Sequence, residues 1–218
     1  MPQIRYCAYP NTLGHIIKME FTGVTYTGLS ITDQETLDKL PNNFSDFFGQ
    51  VNGIIAFNGG LHIRGCVNAP DWHSIKYYWT GEGALHKKYE ELDEQDIPFG
   101  QDCLGDQFLL RNLTVHQLSG ETGDLENLGL TFEQFISNAI EDPMNFLSLQ
   151  PLQQFLNQGG HLTPGESLSV YPPFCTKESA NGVSIKNVPT KERIDFLANF
   201  YQQLKDLGEG QQIQIKIN

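Results

Sequence analysis

Residues 97 to 110, Ile97-Pro98-Phe99-Gly100-Gln101-Asp102-Cys103-Leu104-Gly105-Asp106-Gln107-Phe108-Leu109-Leu110, constrain the fold more than any other stretch of this chain. Ile97 and Phe99 alternate with other residues, and Phe108 and Leu110 do the same further on, which is the period of half-buried strands. Asp102, Gly105 and Asp106 stand between the two runs. Glycine reaches positive φ and aspartate bonds nearby backbone amides, so the segment reads as two strands of one sheet joined by a sharp acidic corner.

Helical patterns flank that hairpin. Thr32-Asp33-Gln34-Glu35 has the form of a capping box and opens a helix carrying Leu37 and Leu40 on one face. Pro41 suits the first position of the next helix, where Phe44, Phe47, Phe48 and Val51 form an apolar stripe that Asn52-Gly53 ends. Leu61, Ile63 and Cys66 alternate as a strand, and residues 73 to 92 read as helix broken around Gly81 and Gly83. Beyond the hairpin, Val115 to Leu118 is an antiparallel return. Thr131-Phe132-Glu133-Gln134 is a second capping box, with Phe132, Phe135 and Ile136 on the core face, and Asp142-Pro143 restarts the helix by the same cap-then-Pro logic. Later segments read as a strand at Leu168 and Val170, a second at Val183 and Ile185, and a helix capped by Thr190. Ile213, Ile215 and Ile217 read as a last strand that completes the main sheet.

Charge and composition exclude several functions. The chain has 26 acidic against 14 basic residues, a net charge of −12. A surface of that sign repels phosphate backbones and anionic lipids, which argues against nucleic-acid or membrane partners and favours a basic protein. Cys7, Cys66, Cys103 and Cys175 are scattered without a Cys-x-x-Cys pair, no apolar run reaches bilayer length, and Met1 to Arg5 lacks the apolar core of a signal peptide. A cytoplasmic location is therefore expected.

The candidate chemistry is sparse. Asp102 and Asp106 can be read as metal ligands or an acid–base pair, but the further oxygen ligands of a hard cation are missing from the motif, and turn capping is the plainer reading. The six histidines show no helical zinc spacing. There is no Gly-x-Ser-x-Gly elbow, and an acid beside Cys103 raises its thiol pKa. No phosphate-cradling glycine loop is present, so neither metal nor cofactor is expected and no catalytic residue is assigned. The acidic run Glu90, Glu91, Asp93, Glu94 and Asp96 is the best partner-facing candidate, against a merely solvated helix end. Trp72, Tyr77 and Trp79 can anchor an interface or fill the core.

The order of landmarks resembles the SUKH superfamily, the SMI/KNR-like proteins. A helix leads into Leu40-Pro41, a Phe-rich helix into Asn52-Gly53, then come Pro98-Phe99, Asp102, Gly105-Asp106 and the helix of Phe132 and Phe135. The resemblance covers roughly residues 30 to 142. It departs from the family in the short turn Arg111-Asn112-Leu113-Thr114 and in the tail. The resemblance implies an α+β fold, an antiparallel sheet packed with helices, at residues 1–142. An extension at 143–218, docked on the main domain, follows. It also implies a non-catalytic immunity protein that binds a cognate toxin, such as a basic nuclease. An intracellular regulatory or scaffold protein is the alternative, and a hydrolase using clustered Asp and His is the third.

Overall fold

The computed structural model describes residues 5–10 and 16–207 of the chain. Strands β1 (Arg5–Pro10) and β2 (Ile16–Phe21) pair as an antiparallel hairpin. The centre of the molecule is a seven-stranded antiparallel sheet whose strands lie side by side in chain order. They are β3 (Tyr26–Thr27), β4 (Ile54–Ala56), β5 (Leu61–Ile63), β6 (Ile97–Asp102), β7 (Gln107–Arg111), β8 (Thr114–Leu118) and β9 (Leu125–Leu130). The class is therefore α+β, as expected, and the segment from Ile97 to Leu110 is the central hairpin of the sheet.

The two faces of the sheet follow from strand alternation. On β7, Phe108 and Leu110 enter the larger core, while Leu109 faces the other way. The larger core gathers α1 (Gln34–Lys39), α2 (Asn42–Gln50) and α4 (Phe132–Glu141), the last numbered after α3 (Ile75–Trp79). Phe132 is its hub, with ring centroids 4.3 Å from Phe44, 5.1 Å from Phe47 and 5.2 Å from Phe99. Phe135 stacks on with Phe108 at 4.7 Å. The motif phenylalanines are thus neighbours in space, and such offset and edge-on pairs add to their area burial.

The tail joins the same core. It comprises α5 (Pro143–Phe146), α6 (Gln150–Asn157), β10 (Glu166–Tyr171), β11 (Ser184–Pro189) and α7 (Thr190–Leu204). Leu147, Leu149, Leu152, Phe155, Leu162 and Leu168 pack in one cluster with Phe99 and Phe108, so the apolar core runs continuously across position 142. Strands β10 and β11 form their own two-stranded sheet. Helix α7 covers the second face, where Ile194, Ala198 and Tyr201 meet Leu109, Leu118, Tyr78 and Tyr89.

Local details correct four sequence expectations. The cap of α1 is Asp33, not Thr32: its carboxylate accepts from the Thr36 amide and hydroxyl, while Glu35 turns away to pair with Lys39 at 2.8 Å. Pro41 occupies the cap position of α2 rather than its first turn. Thr190 begins α7 without capping it, because its hydroxyl lies 2.9 Å from that of Ser167. Residues 73 to 92 break around Gly81 and Gly83 as expected, but the helical pieces are short: the five-residue α3 before the break and a single 3-10 turn at Leu85–Lys87 after it. Gly83 packs so tightly on the Tyr77 ring that a Cβ there would fall 2.2 Å from it, which folds the segment back at the expected break. The capping box at Thr131 and Gln134 is present as expected, as is the Asp142 cap before Pro143. Strand β9, interrupted by Asn127 and Gly129, has no counterpart in the sequence reading. The strand expected at Ile213, Ile215 and Ile217 lies outside the described residues.

Candidate functional site

The acidic corner between β6 and β7 is a clamp. One Asp102 carboxylate oxygen accepts from the amides of Leu104 at 2.8 Å, Gly105 at 2.9 Å and Asp106 at 3.0 Å. The Asp106 carboxylate accepts from the Gly120 amide at 2.8 Å and so ties the corner to the loop after β8. Gly105 sits at φ +97, and a Cβ there would meet Leu197 at 2.8 Å, so α7 packs directly on the turn. Arg193 of α7 donates to the Leu104 carbonyl at 2.8 Å, and the Leu168 amide of β10 donates to the Cys103 carbonyl at 2.7 Å. The corner therefore fastens the tail to the sheet.

Burial and the neighbouring Asp106 carboxylate raise the Asp102 pKa well above the ordinary range, and the three amides pull it back. Burial, then Asp102, holds the Cys103 thiol well above its usual value, so it is a protonated core side chain and not a nucleophile at neutral pH. The turn-capping reading of Asp102 and Asp106 is the one the geometry follows.

A second polar cluster sits behind β5. His62 and Arg64 alternate with Leu61 and Ile63 and point to the face opposite the larger core. His62 Nε2 lies 2.9 Å from His73 Nδ1, and His73 Nε2 lies 3.0 Å from the Asn52 carbonyl. A carbonyl only accepts, so His73 Nε2 carries a proton. His73 Nδ1 then offers its lone pair, and His62 donates to it. Both rings are neutral in this arrangement. Burial holds His73 down at about 4, partly offset by the Asn52 bond, and burial together with His73 and Arg64 holds His62 well below its ordinary value.

Asn52 serves three elements at once. Besides His73 it accepts from the Cys66 amide at 2.7 Å and donates to the Leu29 carbonyl at 3.0 Å. Gly53 beside it has φ +82, and a Cβ would fall 2.4 Å from the His73 ring. The Asn52-Gly53 pair thus seats the histidines.

Arg64 is fully buried. It donates to the carbonyls of Pro98 at 3.0 Å and Gly100 at 3.3 Å, and to the side chains of Gln101 and Gln107, both at 2.7 Å. Its guanidinium lies 4.1 Å over the Tyr78 ring. The pairing of β6 with β7 shifts register between Pro98 and Gly100, and Pro98 has no amide to donate. Arg64 takes up the carbonyls at this irregularity, which gives the Pro98-Phe99 motif a structural cause. Burial lowers the Arg64 pKa to about 10, so it stays charged, with four neutral acceptors around it.

The acidic run is largely engaged by the protein itself. Asp96 is buried and accepts from Arg111 Nε at 2.7 Å and Nη2 at 2.6 Å. Tyr201 of α7 donates to the Glu91 carboxylate at 2.8 Å, and Lys205 pairs with Glu90. Asp93 and Glu94 are the most exposed of these groups, with side chains 79% and 82% exposed, although Asp93 lies 3.7 Å from Arg111 and Glu94 4.0 Å from His86. Trp79, expected as an anchor, is buried and donates to the Glu94 carbonyl at 2.9 Å. Trp72 is half-buried against Tyr26, His62 and His73, and Tyr77 against Tyr78. Asp96 and Trp79 are therefore withdrawn from the expected contact surface, because one closes an ion pair and the other fills the core. Leu40, a residue of the landmark motif, is in the core at the end of α1.

A groove of about 590 Å³ runs between residues 86–90 and α7, lined by His86, Lys87, Glu90, Asn199 and Gln202. Its polar groups are tied to one another: Lys88 pairs with Asp195 at 2.5 Å and Gln202 donates to the Lys88 carbonyl at 2.8 Å. Among the described residues, no group of three or more His, Cys, Asp or Glu is placed to hold a metal ion, and no helix is long and apolar enough to cross a membrane. No protein-family model and no curated protein matches the chain.

Proposed function

We propose that this chain is a non-catalytic protein-binding protein of the cytoplasm that neutralises a basic toxin domain, such as a nuclease, by stoichiometric cover of its cationic surface. The observation that carries the reading is the distribution of an excess of 26 acidic over 14 basic residues. The carboxylates of the conspicuous motif are turned inward onto backbone amides, whereas Asp93 and Glu94 stand out from a corner braced by Arg111. Exposed carboxylates on a rigid base supply the complementary field that accelerates encounter with a basic protein and selects against acidic ones. The order of landmarks shared with SUKH immunity proteins points the same way. Co-expression with the product of each neighbouring reading frame tests the proposal. Rescue from a toxic product, with a one-to-one complex that weakens as salt rises, is the expected result. Failure of every neighbour to form a complex would overturn it.

A further inference from the structure

His73 sits in a slot walled by glycines from three separate places in the chain. A Cβ on Gly28, just after β3, or on Gly65, just after β5, would fall 2.8 Å from His73 Nε2, and Gly53 closes a third side. The backbone pairs around this ring. The Gly65 amide donates to the His73 carbonyl at 2.7 Å, and the Ile75 amide donates to the Gly65 carbonyl at 3.0 Å. Trp72, the neighbour of His73, has ring centroids 5.4 Å from His62 and 5.2 Å from Tyr26. A Cβ on Gly165 of the tail would meet the Trp72 indole nitrogen at 3.0 Å. One buried imidazole thus pins the turn at residues 70–74 to the sheet, and its neighbour carries the contact to the tail.

The slot favours the neutral ring. Nε2 already gives its proton to the Asn52 carbonyl, and Nδ1 meets His62 Nε2 at 2.9 Å. A proton added to the pair makes a buried cation, which is costly unless a partner of opposite charge faces it. The ionisable groups that face the two rings are each other, Arg64 beside them on β5, and Tyr26, whose ring meets His73 edge-on at 4.8 Å from β3. The remaining sides are neutral: Asn52 after α2, Gln101 across from His62 on β6, and Trp72. Asp71, on the same turn as His73, is exposed. An added proton is therefore met by the Arg64 cation, and by no carboxylate among the groups that bear on either ring.

We propose that this slot is an acid-operated latch: when the histidine pair takes up a proton, residues 70–74 leave β5 and the Gly165 turn while the seven-stranded sheet stays paired. Opening uncovers Tyr26 and Trp72 and loosens the tail at Gly165. The latch does not depend on the partner proposed above. Native-state hydrogen exchange of the full chain, followed by NMR at pH 7 and pH 5 in low urea, tests it. Once released, His73 titrates near 6.5 rather than at about 4, so the opening constant should rise about twentyfold between pH 7 and pH 5. The protection factors of the Gly65 and Ile75 amides should fall by that amount with little dependence on urea. Those of the β7 amides should stay higher and should fall as urea rises, because they exchange only on wider unfolding. In His73→Gln, whose amide can keep both hydrogen bonds, the fall at Gly65 and Ile75 should be several-fold smaller. Imidazole nitrogen shifts of the wild-type chain at pH 7 should place the His73 proton on Nε2. A proton on Nδ1 would overturn the proposal, and so would protection at Gly65 and Ile75 that is unchanged between the two pH values. Gly65 and Ile75 amides that share the protection and the urea dependence of β7 at pH 5 would also overturn it, since the turn would then open only with the whole sheet.

Discussion

Replacing His73 by glutamine isolates the cost of keeping one of the two buried histidines neutral. The glutamine amide can donate to the Asn52 carbonyl and accept from His62, so the hydrogen-bond path is kept while one titrating group is lost. In the folded protein His73 stays unprotonated down to about 4, against a usual value of 6.5. The unfolded chain takes up that proton near pH 6.5, and the folded chain does not. A depressed histidine pKa therefore contributes stability that is fully present above pH 6.5 and is lost as pH falls toward 4. The complete loss is about 3 kcal/mol, of which about 2 kcal/mol falls between pH 7 and pH 5.

Urea unfolding followed by tryptophan fluorescence at both pH values measures this. With a slope of about 2 kcal/mol per molar urea, the wild-type midpoint should drop about 1 M further than that of His73→Gln between pH 7 and pH 5. The raised pKa of Asp102 and Asp106 works in the opposite direction, since their folded carboxyls gain protons early as pH falls. They are present in both proteins, so the comparison removes them. Parallel midpoint-against-pH curves for the two proteins would refute the neutral-pair reasoning.

Two other perturbations address the network on either side of β6. Arg64→Met keeps the length of the side chain but leaves two carbonyls and two glutamine side chains without their donor, and should cost about 3 to 5 kcal/mol in urea unfolding at pH 7. A loss below about 1 kcal/mol would mean that the register shift at Pro98 holds itself. Asp102→Ala removes the acceptor of three amides and should cost about 3 kcal/mol or more, whereas Asp102→Asn keeps an acceptor oxygen, sheds a buried charge and should cost much less. Equal losses in the two Asp102 variants, measured by the same unfolding, would show that the charge and not the acceptor matters.

Period and punctuation were enough to read the central hairpin, the Phe-rich α2, the capping box at Thr131 and the Asp142 cap, because each is decided by residues within one or two turns of one another. Strand β5 shows where such reading stops. His62 and Arg64 alternate with Leu61 and Ile63, which in isolation is the pattern of a strand with one wet face. Both faces are in fact covered, the second by residues 71–92 and α7, and the polar pair is sealed in. Its partners, His73, Gln101 and Gln107, are 11, 37 and 43 residues away. No local spacing announces them. Strand β9 escaped for the converse reason: Asn127 and Gly129 are turn residues by preference, yet the Asn127 side chain accepts the Gly129 amide at 2.8 Å and holds a kink at the sheet edge.

The corner and the acidic run exchange roles when the tail is taken into account. Read as isolated motifs, Asp102 and Asp106 are the concentrated charge and the run from Glu90 to Asp96 is a solvated approach to it. In the folded chain the corner receives Arg193 from α7 and the Leu168 amide from β10, so its polarity is directed at the protein's own extension. The same helix reaches over to Glu90 and Glu91 through Lys205 and Tyr201. These contacts engage Glu90 and Glu91 without burying them, and Asp93 and Glu94, with side chains 79% and 82% exposed, are displaced from them along the segment. Arg111 fixes that displacement, because it holds Asp96 inward and leaves Asp93 and Glu94 outward from one bracket. The extension thus touches both the acidic run and the corner, so residues 30 to 142 alone do not account for the surroundings of these carboxylates.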